Sequence, residues 1–282
     1  MPNFSAILPI SGAFTLDREA LIGQLREIMG PEGPEISLDP IGTRGGPVGE
    51  AWLSFGTQAN ESLMFSIGGI RILVGHDLRA YEDAEGLEAY CNPVFWPDGI
   101  AEPAEDASFI SVVELSDTAT PHPDEVFDRA VAVTITAAAV AALKEPDLVL
   151  WKLAQNALPP AMFRGLVEDL LHGAPPLLLW AHWAVVPTSR EGFEPGIATS
   201  GLAPLIGRDI LAPPSHVPQA RMLELVFRLA NRMISWEDKP GDGDLIGEEP
   251  VCRVRHRRQS IFSRTPYFEL RPLEEGAPGG VD

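Results

Sequence analysis

Cysteine is scarce. Cys91 and Cys252 are the only two in 282 residues, so there is no disulfide framework. A single bridge stays open, and a reduced cytoplasm is the simpler reading. Long apolar runs are missing too. The longest, around Pro175 to Pro187, is interrupted by His182 and bounded by prolines, far short of the roughly 20 residues of a membrane span. Met1 to Ser11 has no basic region, so it does not read as a secretory signal. Cations are few: 21 Lys and Arg stand against 40 Asp and Glu, a formal net charge of -19. Such a surface repels nucleic acid and anionic membranes and attracts basic partners. These absences lead to the expectation of a cytoplasmic protein with a basic protein partner and no membrane or nucleic-acid role.

Catalytic frames are also missing. The six histidines, His76, His122, His172, His182, His216 and His256, fall in no His-Glu-x-x-His frame, and no Cys-x-x-Cys accompanies them. A zinc site is therefore unsupported, and no cofactor is expected. Gly42 to Gly49 is glycine-rich but lacks the Lys-Ser or Lys-Thr of a phosphate loop. Gly196 to Gly201 has no Gly-x-Ser-x-Gly frame. Asp238 to Glu249 has partial calcium-loop spacing, with Asp242, Gly243, Asp244 and Glu249 in place. Pro240 occupies a ligand position, so the segment reads as an acidic turn. Cys91 has no charged neighbour to lower its pKa.

What is present is a strong pattern of secondary-structure signals. Residues 4–10 read as a strand, and Thr15 or Asp17 can cap a helix over 18–29 that Gly30-Pro31 stops. Residues 30–49 read as a loop. Glu50–Phe55 and Ser62–Ile67 read as strands, the latter joined through Gly68-Gly69 to a strand at Ile70–Val74. A short helix is expected near Glu85–Tyr90 and a strand at Phe109–Leu115. A mostly buried helix follows over 122–143, then a strand at Leu148–Leu153. A short helix fits Ala161–His172, a buried strand Leu177–Val186, and a strand or wide turn Ile197–Leu211.

Ser215 to Trp236 is the clearest amphipathic helix. Its inner face is Met222, Leu223, Val226, Leu229, Ala230 and Met233, and Glu224 pairs with Arg228 on its outer face. Residues 237–250 read as a turn, Val251–Arg257 as a strand, Ser260–Leu270 as a late strand and 274–282 as a flexible tail. The pattern implies an α+β fold of mostly antiparallel sheets with helices on one face. Its rhythm suggests two related lobes, 1–107 and 108–273.

Two places stand out as candidate binding residues. His182 lies between Trp180 and Trp183, and strand alternation puts it on the face of Trp180. It reads either as a ligand in an aromatic pocket or as a hydrogen-bonded core residue. Six cations concentrate late in the chain, at Arg253, Arg255, Arg257, Arg258, Arg264 and Arg271. Alternation places Arg253, Arg255 and Arg257 on one face, as an anion contact or as internal partners for carboxylates.

The stretch from Thr199 to Ile210, with Thr199, Gly201, Leu202, Gly207, Asp209 and Ile210 in order before a long helix, resembles an uncharacterised bacterial family, domain of unknown function 4261. Ile206 replaces the usual aromatic, and Asp209 the more usual Glu. The resemblance covers the last third of the chain and draws Arg208 and Asp209 into the candidate set. It implies no activity. Neighbourhoods of secretion and toxin genes around such families give an expectation of an immunity-type or adaptor-type partner for a basic toxin or effector. An enzyme with a dispersed site near His182, drawing on Glu168 or Asp209, and a structural subunit of an assembly remain the competing readings.

Overall fold

The computed structural model describes residues 4–12, 14–38, 61–77, 90–91, 96, 108–115, 123–235, 239–258 and 265–273. The expected strand at Glu50–Phe55, most of the helix near Glu85–Tyr90 and the tail at 274–282 lie outside the described residues. The fold is α+β. The chain divides into two compact units, Met1–Leu179 and Trp180–Asp282.

Unit 1 contains β1 (Ser5–Ile10), α1 (Arg18–Met29), β2 (Ile36–Leu38), β3 (Glu61–Ile67), β4 (Ile70–Asp77) and β5 (Ser108–Leu115). It continues with α2 (Pro123–Leu143), β6 (Val149–Trp151), β7 (Asn156–Leu158) and α3 (Pro160–Leu171). Its seven strands form an antiparallel sheet in the order β2-β3-β4-β5-β1-β6-β7. Asp17 caps α1 by accepting from the Ala20 N–H at 3.0 Å, and Gly30 ends it at φ 72°. Gly68 and Gly69, at φ 56° and 85°, make the two-residue turn between β3 and β4. Both glycines carry the positive φ that a tight hairpin needs.

Helix α2 is the centre of unit 1. Glu125–Leu143, rather than the run near Pro175–Pro187, is the stretch with the length and apolarity of a membrane span, with mean hydropathy 1.7. In the unit that apolar surface packs against α1, α3 and the sheet strands β1, β4 and β5. Thr134 and Thr136 satisfy their buried hydroxyls by donating to the carbonyls of Ala130 and Ala132, each at 2.8 Å. Where α2 crosses the sheet, Arg129 reaches Glu114 at 3.6 Å. Burial pushes the Glu114 carboxyl above its ordinary range, against the pull of Arg129. On the sheet's other face, Ile7, Phe109, Leu148, Leu150 and Ala157 form a cluster that Tyr90, Cys91 and Trp96 help to cover.

A boundary at 107/108 does not match this architecture. β5 lies inside the first sheet, between β4 and β1; a cut before it would strip the sheet of its centre.

A single helical turn, α4 (Leu177–Trp180), spans the division between the units. The buried strand expected over Leu177–Val186 is thus a helical turn followed by a shorter strand. Pro175 and Pro176 precede Leu177, a first-turn setting that proline tolerates.

Unit 2 contains β8 (His182–Val186), β9 (Gly196–Ser200), α5 (Ala203–Ile206), β10 (Asp209–Ala212), α6 (Gln219–Ile234), β11 (Leu245–Ile246), β12 (Cys252–Arg257) and β13 (Tyr267–Pro272). The sheet order is β11-β12-β13-β10-β9-β8. All of its pairs are antiparallel except β10 with β13. The named strands of the first sheet all pair antiparallel and run in a different order, so the shared rhythm of the halves is not one topology repeated among the described residues. The wide turn expected at Ile197–Leu211 resolves into β9, α5 and β10.

Helix α6 packs on one face of this sheet, against β9 and β10. It buries Met222, Leu225, Val226, Leu229, Ala230, Met233 and Ile234. Each large side chain so buried contributes about 1.5–3 kcal/mol, which exceeds the exposed Glu224–Arg228 pair at 3.0 Å. Leu223, expected on the inner face, is 43% exposed. Leu225 takes the buried place instead, because the stripe that meets the sheet is one position out of phase with Leu223.

Candidate functional site

The registers of unit 2 show which side chains share the sheet face opposite α6. Arg255, Glu269, Leu211, Ala198 and Ala184 lie in one row across β12, β13, β10, β9 and β8. Arg253 lies directly opposite Arg271, and Arg257 opposite Tyr267. Cys252, Val254, Phe268 and Leu270 point the other way and are buried. Alternation therefore does put Arg253, Arg255 and Arg257 on one face, and the structure adds Arg271 to them.

Glu269 sits among these cations. It accepts from Arg257 Nε at 2.7 Å and from Arg271 Nη2 at 2.8 Å. Burial works to raise the Glu269 pKa, but these two hydrogen bonds prevail and hold it below the usual range. The same bond to Glu269 raises Arg257. Asp242 lies 3.9 Å from Arg255. The backbone N–H of His256, donating to Asp242 at 2.7 Å, holds that carboxyl low. Four guanidinium groups thus face two carboxylates, and the strip keeps a positive balance.

The other sequence candidates fall elsewhere. Trp180 is wholly buried in the α4 turn, so it does not share a strand face with His182. His182 pairs with Ser200 at the β8 edge of the sheet. Four strand spacings of about 4.8 Å put it roughly 19 Å from the arginines of β12. It is half-buried, and burial lowers its pKa. Trp183 packs on Phe227 of α6, ring centroids 5.7 Å apart. Arg208 donates to the Arg257 carbonyl at 3.0 Å, and its guanidinium lies 5.5 Å from the Phe268 ring, on the α6 side.

Asp209 is 2% exposed and fully engaged. Its Oδ1 accepts from the N–H groups of Leu202 and Ala203 at 3.0 and 3.3 Å, where α5 begins. Its Oδ2 accepts from the Thr265 hydroxyl at 2.5 Å. Thr199 Oγ1 accepts from the Ile210 N–H at 2.8 Å. Gly201 and Gly207 bracket α5 at φ 96° and 86°. The side chains of Thr199 and Asp209 thus act as a scaffold, bracing the connection between β9 and β10. Glu168, the other carboxylate considered with His182, is exposed on α3 of unit 1.

Charge divides unequally between the units. Unit 1 holds 26 Asp and Glu against nine Lys and Arg, a formal charge of −17. Unit 2 holds 14 against 12, a formal charge of −2. Most described carboxylates of unit 1 are exposed, among them Asp17, Glu19 and Glu27 around α1 and Glu32 and Glu35 after it.

Among the described residues no cluster of His, Cys, Asp and Glu has the makings of a metal site. No protein-family model matches the chain, and neither the curated proteins nor the solved structures offer a match.

Proposed function

We propose that this is a non-catalytic binding protein that engages a basic protein through unit 1, in the manner of an immunity or adaptor protein. The observation that carries the reading is the division of charge, −17 on unit 1 against −2 on unit 2. Excess charge on one unit steers a cationic partner to it and accelerates encounter. Asp17, Glu19, Glu27, Glu32 and Glu35, exposed on and beside α1 against only Arg18 and Arg26, give such a partner a locally anionic surface.

The test is affinity capture from native lysate at about 50 mM and then about 300 mM salt, where the screening length falls to a few ångströms. The variant Glu19→Gln, Glu27→Gln, Glu32→Gln is run beside the wild type. A basic protein released by salt and depleted on the variant supports the reading. A partner held equally at both salts and by both proteins contradicts it. Members of the resembling bacterial family, given the same treatment, would show whether the charge division is shared.

A further inference from the structure

Unit 2 carries a cleft of about 1220 Å³ at the end of its sheet where β10 and β13 finish and α6 begins. We propose that this cleft binds an acidic, extended peptide segment of a second protein. The site is distinct from the acidic surface of unit 1, and its test does not depend on that reading.

Three features point to this ligand. The first is shape: the volume exceeds the roughly 300–1,000 Å³ of small-molecule pockets, and most lining residues are exposed or half-exposed. That suits a chain segment laid in a trough more than an enclosed metabolite.

The second feature is the walls. Pro213, Pro214, Pro218, Pro250 and Pro272 line the cleft. Proline offers no N–H and moves little, so these walls are rigid and favour the apolar edges of an extended chain. Phe193 and His216 pack together beside them, with ring centroids 4.1 Å apart. His216 is fixed there by its Nδ1 contact with the Gly192 carbonyl at 3.0 Å.

The third is charge. Arg190, Arg221 and Arg271 line the same cleft. Arg190 stacks over the Phe193 ring, 4.0 Å from its centroid. Among the described residues no carboxylate lies within ion-pair distance of it. Arg271 is already paired with Glu269 at 2.8 Å, and Glu248 and Glu249 also line the cleft, so its lining keeps one net positive charge, with Arg190 the arginine that no described carboxylate neutralises.

Arg221 is held by Glu249 at 3.1 Å, both side chains being more than half exposed. That carboxylate shows how an acidic side chain of a ligand seats on Arg221. An exposed pair of this kind is only weakly stabilising, so an incoming segment displaces Glu249 at small cost. Glu249 then acts as a built-in competitor for the site.

The probe is a fluorescein-labelled peptide of about ten residues alternating glutamate and proline, titrated with the full chain and read by anisotropy. Matching Gln-Pro and Lys-Pro peptides and inorganic phosphate serve as controls. The glutamate peptide is expected to bind saturably and the other two not. Arg190→Ala should weaken it about tenfold or more, as loss of a charge-assisted contact does, while Arg190→Lys should restore part of the affinity. Glu249→Gln should tighten it several-fold, a gain that a damaged fold would not produce. Arg253→Ala, outside the cleft, should leave it nearly unchanged. The proposal is overturned if no peptide binds, or if the Gln-Pro peptide binds equally. It is also overturned if Arg190→Ala and Glu249→Gln are both silent, or if phosphate alone displaces the peptide at sub-millimolar concentration.

Discussion

Glu269 Oε2 lies 2.7 Å from Arg257 Nε across the β12–β13 ladder, the shortest ion pair among the described residues. The same carboxylate holds Arg271 at 2.8 Å, and Arg271 in turn faces Arg253. Like charges directly opposite in a sheet repel, so Glu269 is the counter-charge that lets this strand pair form.

Replacing Glu269 with Gln should therefore destabilise the protein by about 1–3 kcal/mol, the range for a lost charged hydrogen-bond partner. Urea unfolding at pH 7 reads it. Because the folded pKa of Glu269 is lowered, its contribution is present above the unfolded carboxyl value. It is lost as pH falls through the folded one. The wild type should lose its advantage over Glu269→Gln in strong acid.

Asp209→Ala should cost about 1–3 kcal/mol by leaving the Leu202 and Ala203 donors unmet in a buried place. Asp209→Asn keeps an acceptor and should cost less. If Asp209 were instead a binding residue, Asn would abolish function with stability unchanged; equal stability of Ala and wild type would refute the scaffold role.

Half-buried His182 and buried Glu114 give opposite pH slopes. The lowered pKa of His182 means that the folded state resists its protonation. Its contribution is full above the unfolded value near 6.5 and declines as pH falls toward the folded value. Glu114, raised by burial, does the reverse: its ionised form is a penalty, relieved as pH falls through the folded pKa toward the unfolded value. Stability curves from pH 4.5 to 7.5 for His182→Gln and Glu114→Gln should each lose one of these slopes.

Burial pushes the Cys252 thiol up to about 11, leaving it protonated near pH 8. A thiol without thiolate is a poor nucleophile. Titration with a disulfide reagent at pH 8 should therefore count at most one reactive cysteine in the native protein and two after guanidinium unfolding. Two fast thiols in the native state would contradict the packing of β12.

Local signals made much of this protein legible in the sequence. The Asp17 cap, the Gly30 stop, the Gly68-Gly69 turn and the apolar stripe of α6 are each encoded within a turn or two of chain. The two-residue period of β12 likewise announced the shared face of Arg253, Arg255 and Arg257. Short elements escaped: β2, β7 and β11 have two or three residues each, too few to show a period. The α4 turn reads as strand in the sequence because a short apolar run has no period to tell one from the other.

What only the tertiary structure decided was pairing over distance. Asp209 meets Thr265 across 56 positions, and Arg208 meets the Arg257 carbonyl across 49. No local pattern reports such a contact, since it depends on β10 lying parallel to β13. The charge itself was plain from the residues, but its division between two units followed from which strands joined which sheet. Hydrogen-bonded register, not sequence proximity, put β5 with β1 and gathered the arginines around Glu269.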